Sequence, residues 1–192
     1  MLISKKTPLN HILSLGAECN NCGICCKNGQ GFVLNDEIKK IAEHLGISED
    51  ELLNNHLERT VVFNKEIFKT RRKNTSEKNR IPVGACIFYD DENGCTIQEA
   101  KPLFCKIVNC KPYSSEIIQW YFLNYVLDTE DPEAIRQWVH FIKYNEPIPG
   151  AQLKELVKEE ELAKIMNFEL LNKTQKNIES LKQSIQNIIK KQ

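Results

Sequence analysis

Four of the chain's eight cysteines fall within eight residues, as Cys19, Cys22, Cys25 and Cys26. Cys-x-x-Cys spacing lets a tight turn aim two thiolates at one point, and Asn21 and Gly23 are residue types that tolerate such a turn. A second step of the same spacing brings a third sulfur beside the first two. Free cysteine otherwise packs as a small hydrophobe, and packing gives thiols no reason to recur at turn spacing. The other four, Cys86, Cys95, Cys105 and Cys110, form a second group. Sets of four thiolates suit tetrahedral zinc and equally the irons of sulfide clusters. All eight cysteines are therefore expected to hold an iron–sulfur cluster, of the 4Fe-4S type, or zinc, in two sites or in one with spare ligands.

The vicinal pair constrains the geometry. In extended backbone, neighbouring side chains point to opposite sides, so one of Cys25 and Cys26 is expected to complete the local group and the other to reach toward the second. The Cys19-x2-Cys22-x2-Cys25 step is similar to that of bacterial ferredoxins, whose fourth cysteine serves another cluster; here the fourth follows at once. Lys27, Lys106 and Lys111 each directly follow a cysteine. They are either ordinary surface lysines or cations that offset the negative charge of a thiolate site. His11, His44, His56 and His140 lack ligand spacing to a cysteine pair and are left out of the ligand set.

Composition narrows the setting. With 26 basic and 26 acidic residues in 192 the formal net charge is zero, which removes a global electrostatic argument for nucleic acid or membrane. No apolar run approaches spanning length, and the first residues lack a signal-type stretch. The expected compartment is the cytoplasm, where thiols stay reduced. Ligands are then favoured over a disulfide framework, which the adjacent pair Cys25-Cys26 would make awkward.

The elements that must position these thiols follow from local signals. Residues 1–14 read as a lead-in, 15–146 as a cysteine-cluster metal-binding domain and 151–192 as a helical C-terminal extension. Gly31 to Leu34 reads as a strand. Asn35 is expected to cap a helix carrying Ile38, Ile41, Ala42 and Leu45, stopped by Gly46. Ser48 and Glu51 form a capping box for a second helix whose apolar face is Leu52, Leu53 and Leu57. Its acidic first turn argues against DNA reading. Val61-Val62-Phe63 and Ile67-Phe68 read as strands around the turn Asn64-Lys65-Glu66. Residues 69–80 read as a basic loop, solvated or holding an anionic partner. Asp90 to Gly94 is a hairpin turn folding Cys86 and Cys95 together, and Pro102 and Pro112 frame the turns of Cys105 and Cys110.

Eight of the 15 aromatic residues lie between Tyr113 and Tyr144. They are expected to form two helices and a core that shields the metal, the second helix starting at Asp131-Pro132-Glu133. In the extension, Ile178, Leu181, Ile185 and Ile188 make an a/d-type seam that could meet a protein partner. The expected fold class is mostly α with a few short β-strands (α+β), a small cysteine-ligated scaffold with a helical extension.

These residues resemble the zinc- or iron-chelating CxxCxxCC family, also called YkgJ-like cysteine-cluster proteins. The likeness rests on Cys19-x2-Cys22-x2-Cys25-Cys26, on Leu34-Asn35-Asp36-Glu37-Ile38 leading to His44-Leu45-Gly46-Ile47-Ser48, on Cys86 to Ile97, and on Lys101-Pro102-Leu103-Phe104-Cys105-Lys106 with Cys110. It covers about residues 15–112. The resemblance implies that the cysteines are metal ligands and that the protein contains an iron–sulfur centre. Flagellin lysine methylases look similar in their cysteine region but are longer. The chain departs from the family's pattern at Lys101 and Lys106, where arginines are usual, and at Asn109, where proline is frequent. Arginine and lysine differ at bidentate sites. The leading expectation is a metal-binding protein. The alternatives are an enzyme using the cluster for redox or methyl-transfer chemistry, and a structural-zinc interaction module. Methyl transfer by this chain alone lacks a glycine-rich nucleotide fingerprint.

Overall fold

The computed structural model describes residues 2–19, 22–73 and 84–170. Helix α1 (Leu9–Gly16) leads to the one-turn helix α2 (Ile24–Asn28) and strand β1 (Phe32–Val33). A 3-10 turn (Asn35–Glu37) runs into α3 (Ile38–Leu45), followed by α4 (Glu49–Asn55) and the hairpin β2 (Leu57–Val62) and β3 (Lys65–Thr70). Next come β4 (Tyr89–Asp90), β5 (Gly94–Cys95), α5 (Leu103–Ile107) and α6 (Ser114–Tyr121), which continues as a π-helical turn (Phe122–Val126). Helices α7 (Pro132–Ile142), α8 (Leu153–Leu156) and α9 (Glu159–Met166) close the described chain. The strands form an antiparallel sheet of order β1-β3-β2 and a separate β4-β5 ribbon. The fold is the expected small α+β arrangement.

Several local signals act as expected. Gly46 adopts φ 68° at the end of α3, and Ser48 Oγ accepts the Glu51 N–H at 3.1 Å. Asp131 caps α7 by accepting the Glu133 N–H at 2.9 Å, with Pro132 in the first turn. The Asp90 carboxylate gathers the Glu92 and Asn93 N–H groups, which bends the chain so that Tyr89 pairs with Cys95 and Asp90 with Gly94.

Others are redirected. Asn35 makes no side-chain cap; the Glu37 carboxylate takes the Leu34 N–H instead, at 2.9 Å. Leu57 leaves the helix and opens β2 opposite Thr70, because α4 ends at Asn55. The hairpin turn is Phe63-Asn64, both with positive φ (49° and 57°), not 64–66. Two left-handed residues suit the twist of a two-residue hairpin, and this register lets β3 start at Lys65. The reading of 69–80 as loop fails over its first residues. Lys69 and Thr70 belong to β3, Arg72 bridges to Cys86, and the Lys73 N–H reaches the Ala85 carbonyl at 2.7 Å. Residues 74–80 lie outside the described residues.

The main core is aromatic. Ile12, Trp120, Tyr121, Phe122 and Trp138 pack together, with Ile3 and Leu15 of the N-terminal segment and Ala151 beyond α7. Trp120 Nε1 donates to the Thr7 carbonyl at 2.8 Å and Trp138 Nε1 to the Ala151 carbonyl at 3.0 Å. A second cluster joins α3, α4 and the hairpin through Ile41, Leu52, Leu57 and Phe68, and reaches Phe88 and Ile97. After Gly150 the chain is not one helix: α8 stops at Val157, α9 restarts at Glu159, and Val157 and Ile165 pack with Ile135 of α7. The seam Ile178, Leu181, Ile185 and Ile188 lies outside the described residues.

Candidate metal centre

All eight cysteines are free thiols, and all eight line a single cavity of about 780 Å³. Four short pieces of chain bring them there. The first is the turn into α2. Gly23 holds φ 74°, and a Cβ there would meet the Tyr89 ring at 2.8 Å, so glycine permits both the turn and the packing of α2 against β4. Cys25 and Cys26 lie on α2. The vicinal pair is thus helical and not extended, and its two sulfurs stand 4.0 Å apart on the same cavity. The premise of an extended backbone at Cys25 and Cys26 fails at that helical turn.

The second piece is the passage from β3 to Cys86. The Thr70 hydroxyl is buried between two partners. It accepts the Gly31 N–H at 3.1 Å and the Cys86 S–H at 3.3 Å. The Cys86 N–H in turn reaches the Cys26 carbonyl at 2.6 Å, which ties the two cysteine groups by backbone. The third is the β4-β5 ribbon with Cys95. The fourth is α5 with Cys105, followed by the Cys110 turn. Gly31 lies against Cys105 so closely that a Cβ would run into its Sγ. Asn109, in the place where the resemblance has proline, is buried. Its amide donates to the Leu15 carbonyl at 2.9 Å and its oxygen accepts the Lys111 N–H at 3.0 Å. Proline could not supply either contact.

Glu37 sets the position of α5. One carboxylate oxygen takes the Leu34 N–H and the other the Leu103 N–H, at 2.6 Å, so a single side chain joins the 3-10 turn to the first residue of the helix that carries Cys105. Burial pushes its pKa above the usual carboxylate range. Glu37→Ala leaves two N–H groups without acceptors and is expected to cost roughly 2 kcal/mol in urea unfolding. Glu37→Gln is expected to be nearly as damaging, because its NH₂ faces an N–H; wild-type stability in both variants would refute the role.

Electrostatics favour bound cations. The contact between the two sulfurs pulls the Cys25 pKa down to about 6 and, with burial, pushes that of Cys26 up. Burial pushes Cys95 and Cys105 up. Thiols held neutral by burial become good ligands once a metal displaces the proton. Of the lysines next to cysteines, Lys27 pairs with Asp91 at 3.3 Å and lies over the Tyr89 ring, and Lys111 pairs with Glu18 at 3.9 Å. None of Lys27, Lys106 and Lys111 lines the cavity. Lys101 does, and its charge favours thiolates at Cys25, Cys95 and Cys105. The sequence signal for Lys101 was its place in the Lys-Pro-x-x-Cys motif. None of the four histidines lines the cavity either; His44 and His56 are engaged with the Thr96 carbonyl and the Phe88 ring.

The donor set fits a metal that prefers sulfur. Among the described residues no three Cys, His, Asp or Glu side chains converge at the spacing of a single ion; the thiols stand around the cavity wall. The family model for CxxCxxCC, described as a "Putative zinc- or iron-chelating domain", matches residues 18–125, more than half of the chain. The chain belongs to the CxxCxxCC family. The matched span contains every cysteine, together with the hairpin, Glu37 and Lys101. No match was found among the curated proteins or among the solved structures. Among the described residues no helix is long and apolar enough to cross a membrane. The CxxCxxCC domain thus places eight sulfur donors on one cavity, in line with the metal chelation of the family's description.

Proposed function

We propose that this CxxCxxCC protein is an iron–sulfur protein in a reducing compartment, its eight cysteines supplying four thiolates to each cluster of the 4Fe-4S type. The observation that carries this reading is the gathering of all eight thiols around one cavity of about 780 Å³. Zn²⁺ and a 4Fe-4S cluster each take four thiolates, but zinc draws its sulfurs in to about 2.3 Å and closes its own site. Eight thiols set around a space this large leave room for sulfide-bridged iron, which is bulkier and takes cysteine thiolates as its usual ligands.

When bound, such a centre supplies one-electron chemistry. The chain's own residues prepare its surroundings. Lys101 offsets thiolate charge, Thr70 orients Cys86, and Phe104 closes one wall. Phe104 meets Phe32 at 4.9 Å and Tyr121 at 5.1 Å, so the aromatic core backs the cavity and lowers the local dielectric, a determinant of cluster potential. Electron paramagnetic resonance of anaerobically purified protein, before and after dithionite, tests this. A signal that appears or disappears on one-electron reduction is the expected result. Protein that is colourless and silent in both states while carrying zinc would replace the redox centre by a structural-zinc module.

A further inference from the structure

Chain order sets Cys19, Cys22, Cys25 and Cys26 against the other four cysteines, but the contacts in the fold divide the eight differently. One set lies around Thr70. The Cys86 S–H donates to Thr70 Oγ1 at 3.3 Å, and the same oxygen accepts the Gly31 N–H at 3.1 Å. A Cβ on Gly31 would run into Cys105 Sγ, so Cys86 and Cys105 both border the Thr70–Gly31 contact. The Tyr89 N–H binds the Cys86 carbonyl at 3.0 Å and Tyr89 pairs with Cys95, which brings in a third sulfur. The Cys26 carbonyl accepts the Cys86 N–H at 2.6 Å, and charge on Cys95 and Cys105 is felt at Cys26. All four of these thiols are partly buried. Cys25 acts on Cys95 and Cys105 as well, as a neighbour of Cys26 on α2 must, but its thiol is exposed.

The other set lies where the end of α1 meets the chain past α5. A Cβ on Gly16 would run into the Lys106 carbonyl, and the Asn109 amide donates to the Leu15 carbonyl at 2.9 Å. Glu18 accepts the Tyr113 hydroxyl at 2.7 Å and pairs with Lys111 at 3.9 Å. Residues 15–18 and 109–113 are thereby fastened to each other, with Cys19 directly after the first segment and Cys110 inside the second. Cys22 and Cys25 continue from Cys19 at Cys-x-x-Cys spacing, which suits ligands of one site. Cys22, Cys25 and Cys110 are the exposed thiols of the eight, and Cys19 is partly buried. Cys26 and Cys110 have thus exchanged groups relative to their order in the chain.

We infer that the cavity holds two 4Fe-4S centres, an inner one on Cys26, Cys86, Cys95 and Cys105 and an outer one on Cys19, Cys22, Cys25 and Cys110, an inference that rests on the iron–sulfur reading above. Four thiolates complete each centre. Three inner ligands stand on elements that the rest of the fold holds: the passage from β3 through Thr70, the ribbon, and α5 through Glu37. Three outer ligands stand on the one-turn helix α2 and its lead-in, a length of helix that is marginal alone. The Cys26–Cys86 backbone bond and the packing of Gly23 on Tyr89 place that helix. The outer centre therefore depends on the inner one, and not the reverse.

The test is iron and acid-labile sulfide per chain in full-length protein purified without oxygen, for the wild type and for Cys25→Ala, Cys110→Ala and Cys26→Ala. The wild type is expected to carry about eight of each. Cys25→Ala and Cys110→Ala should each lose half, the outer centre, and keep a reducible inner centre by electron paramagnetic resonance. Cys26→Ala should lose nearly all. Cys25→Ala and Cys110→Ala decide the matter, because they leave the anchors of α5 and the ribbon untouched. Either of them losing all its iron, or losing none, would overturn the division, as would Cys26→Ala keeping half. A wild type with iron and sulfide at about four of each would overturn the two centres while the iron–sulfur reading stands. A wild type with neither would overturn that reading and this inference with it.

Discussion

Purified without oxygen, a Cys105→Ser protein is expected to lose most of its bound metal and the compact packing of its cysteine region. Cys105 sits on α5, against Gly31, under the charge of Lys101 and behind the Phe104 wall. Loss of a partner outside the ligand shell already weakens metal sites about 10–100-fold, so loss of a sulfur donor at this position is expected to exceed about 100-fold. Cys110→Ser, at an exposed thiol, is expected to do less. Metal analysis after gel filtration, with limited proteolysis of the same samples, checks both. Full metal in Cys105→Ser would remove Cys105 from the ligand set.

The second large effect lies in the aromatic core. Trp138 is fully buried, stands edge-on to Phe63 at 5.2 Å, stacks on Phe141 at 5.1 Å and holds Ala151 through its indole N–H. Trp138→Ala is expected to cost about 3–5 kcal/mol, measured by urea unfolding. Trp138→Phe keeps most of the ring but orphans the Ala151 carbonyl, and should cost less. Folded Trp138→Phe is expected to retain its metal, because Trp138 does not line the cysteine cavity; parallel loss of metal and stability would mean that core and centre fold as one unit.

What could be read from the chain before its fold was known follows from where the signals are local. The eight cysteines, the turn at Gly23, the Ser48 and Asp131 caps and the Asp90 to Gly94 hairpin are each decided within a few residues, and the sequence shows them directly. Glu37 was legible only as an acid in a first helical turn. Its contact with Leu103 spans 66 positions, and no periodicity reports such a bond. Thr70 reads as part of a polar loop because basic residues follow it, yet pairing with β1 and β2 buries it between Gly31 and Cys86. Leu57 matches helical spacing from Leu53 and sheet alternation equally well, and tertiary pairing with Thr70 decides between them. Whether the two cysteine groups form two sites or share one is left open by their spacing; in the fold both groups line one cavity. The Cys86-to-Cys26 backbone bond and the Thr70 hydroxyl show how it is achieved.

Iron, zinc and acid-labile sulfide measured on one anaerobic sample, with its visible spectrum, bear most directly on the role of the shared cavity. The account predicts a brown protein with iron and sulfide in matching amounts and little zinc, all lost together when Cys26 and Cys86 are both replaced by serine. A colourless protein with stoichiometric zinc and no sulfide would contradict it.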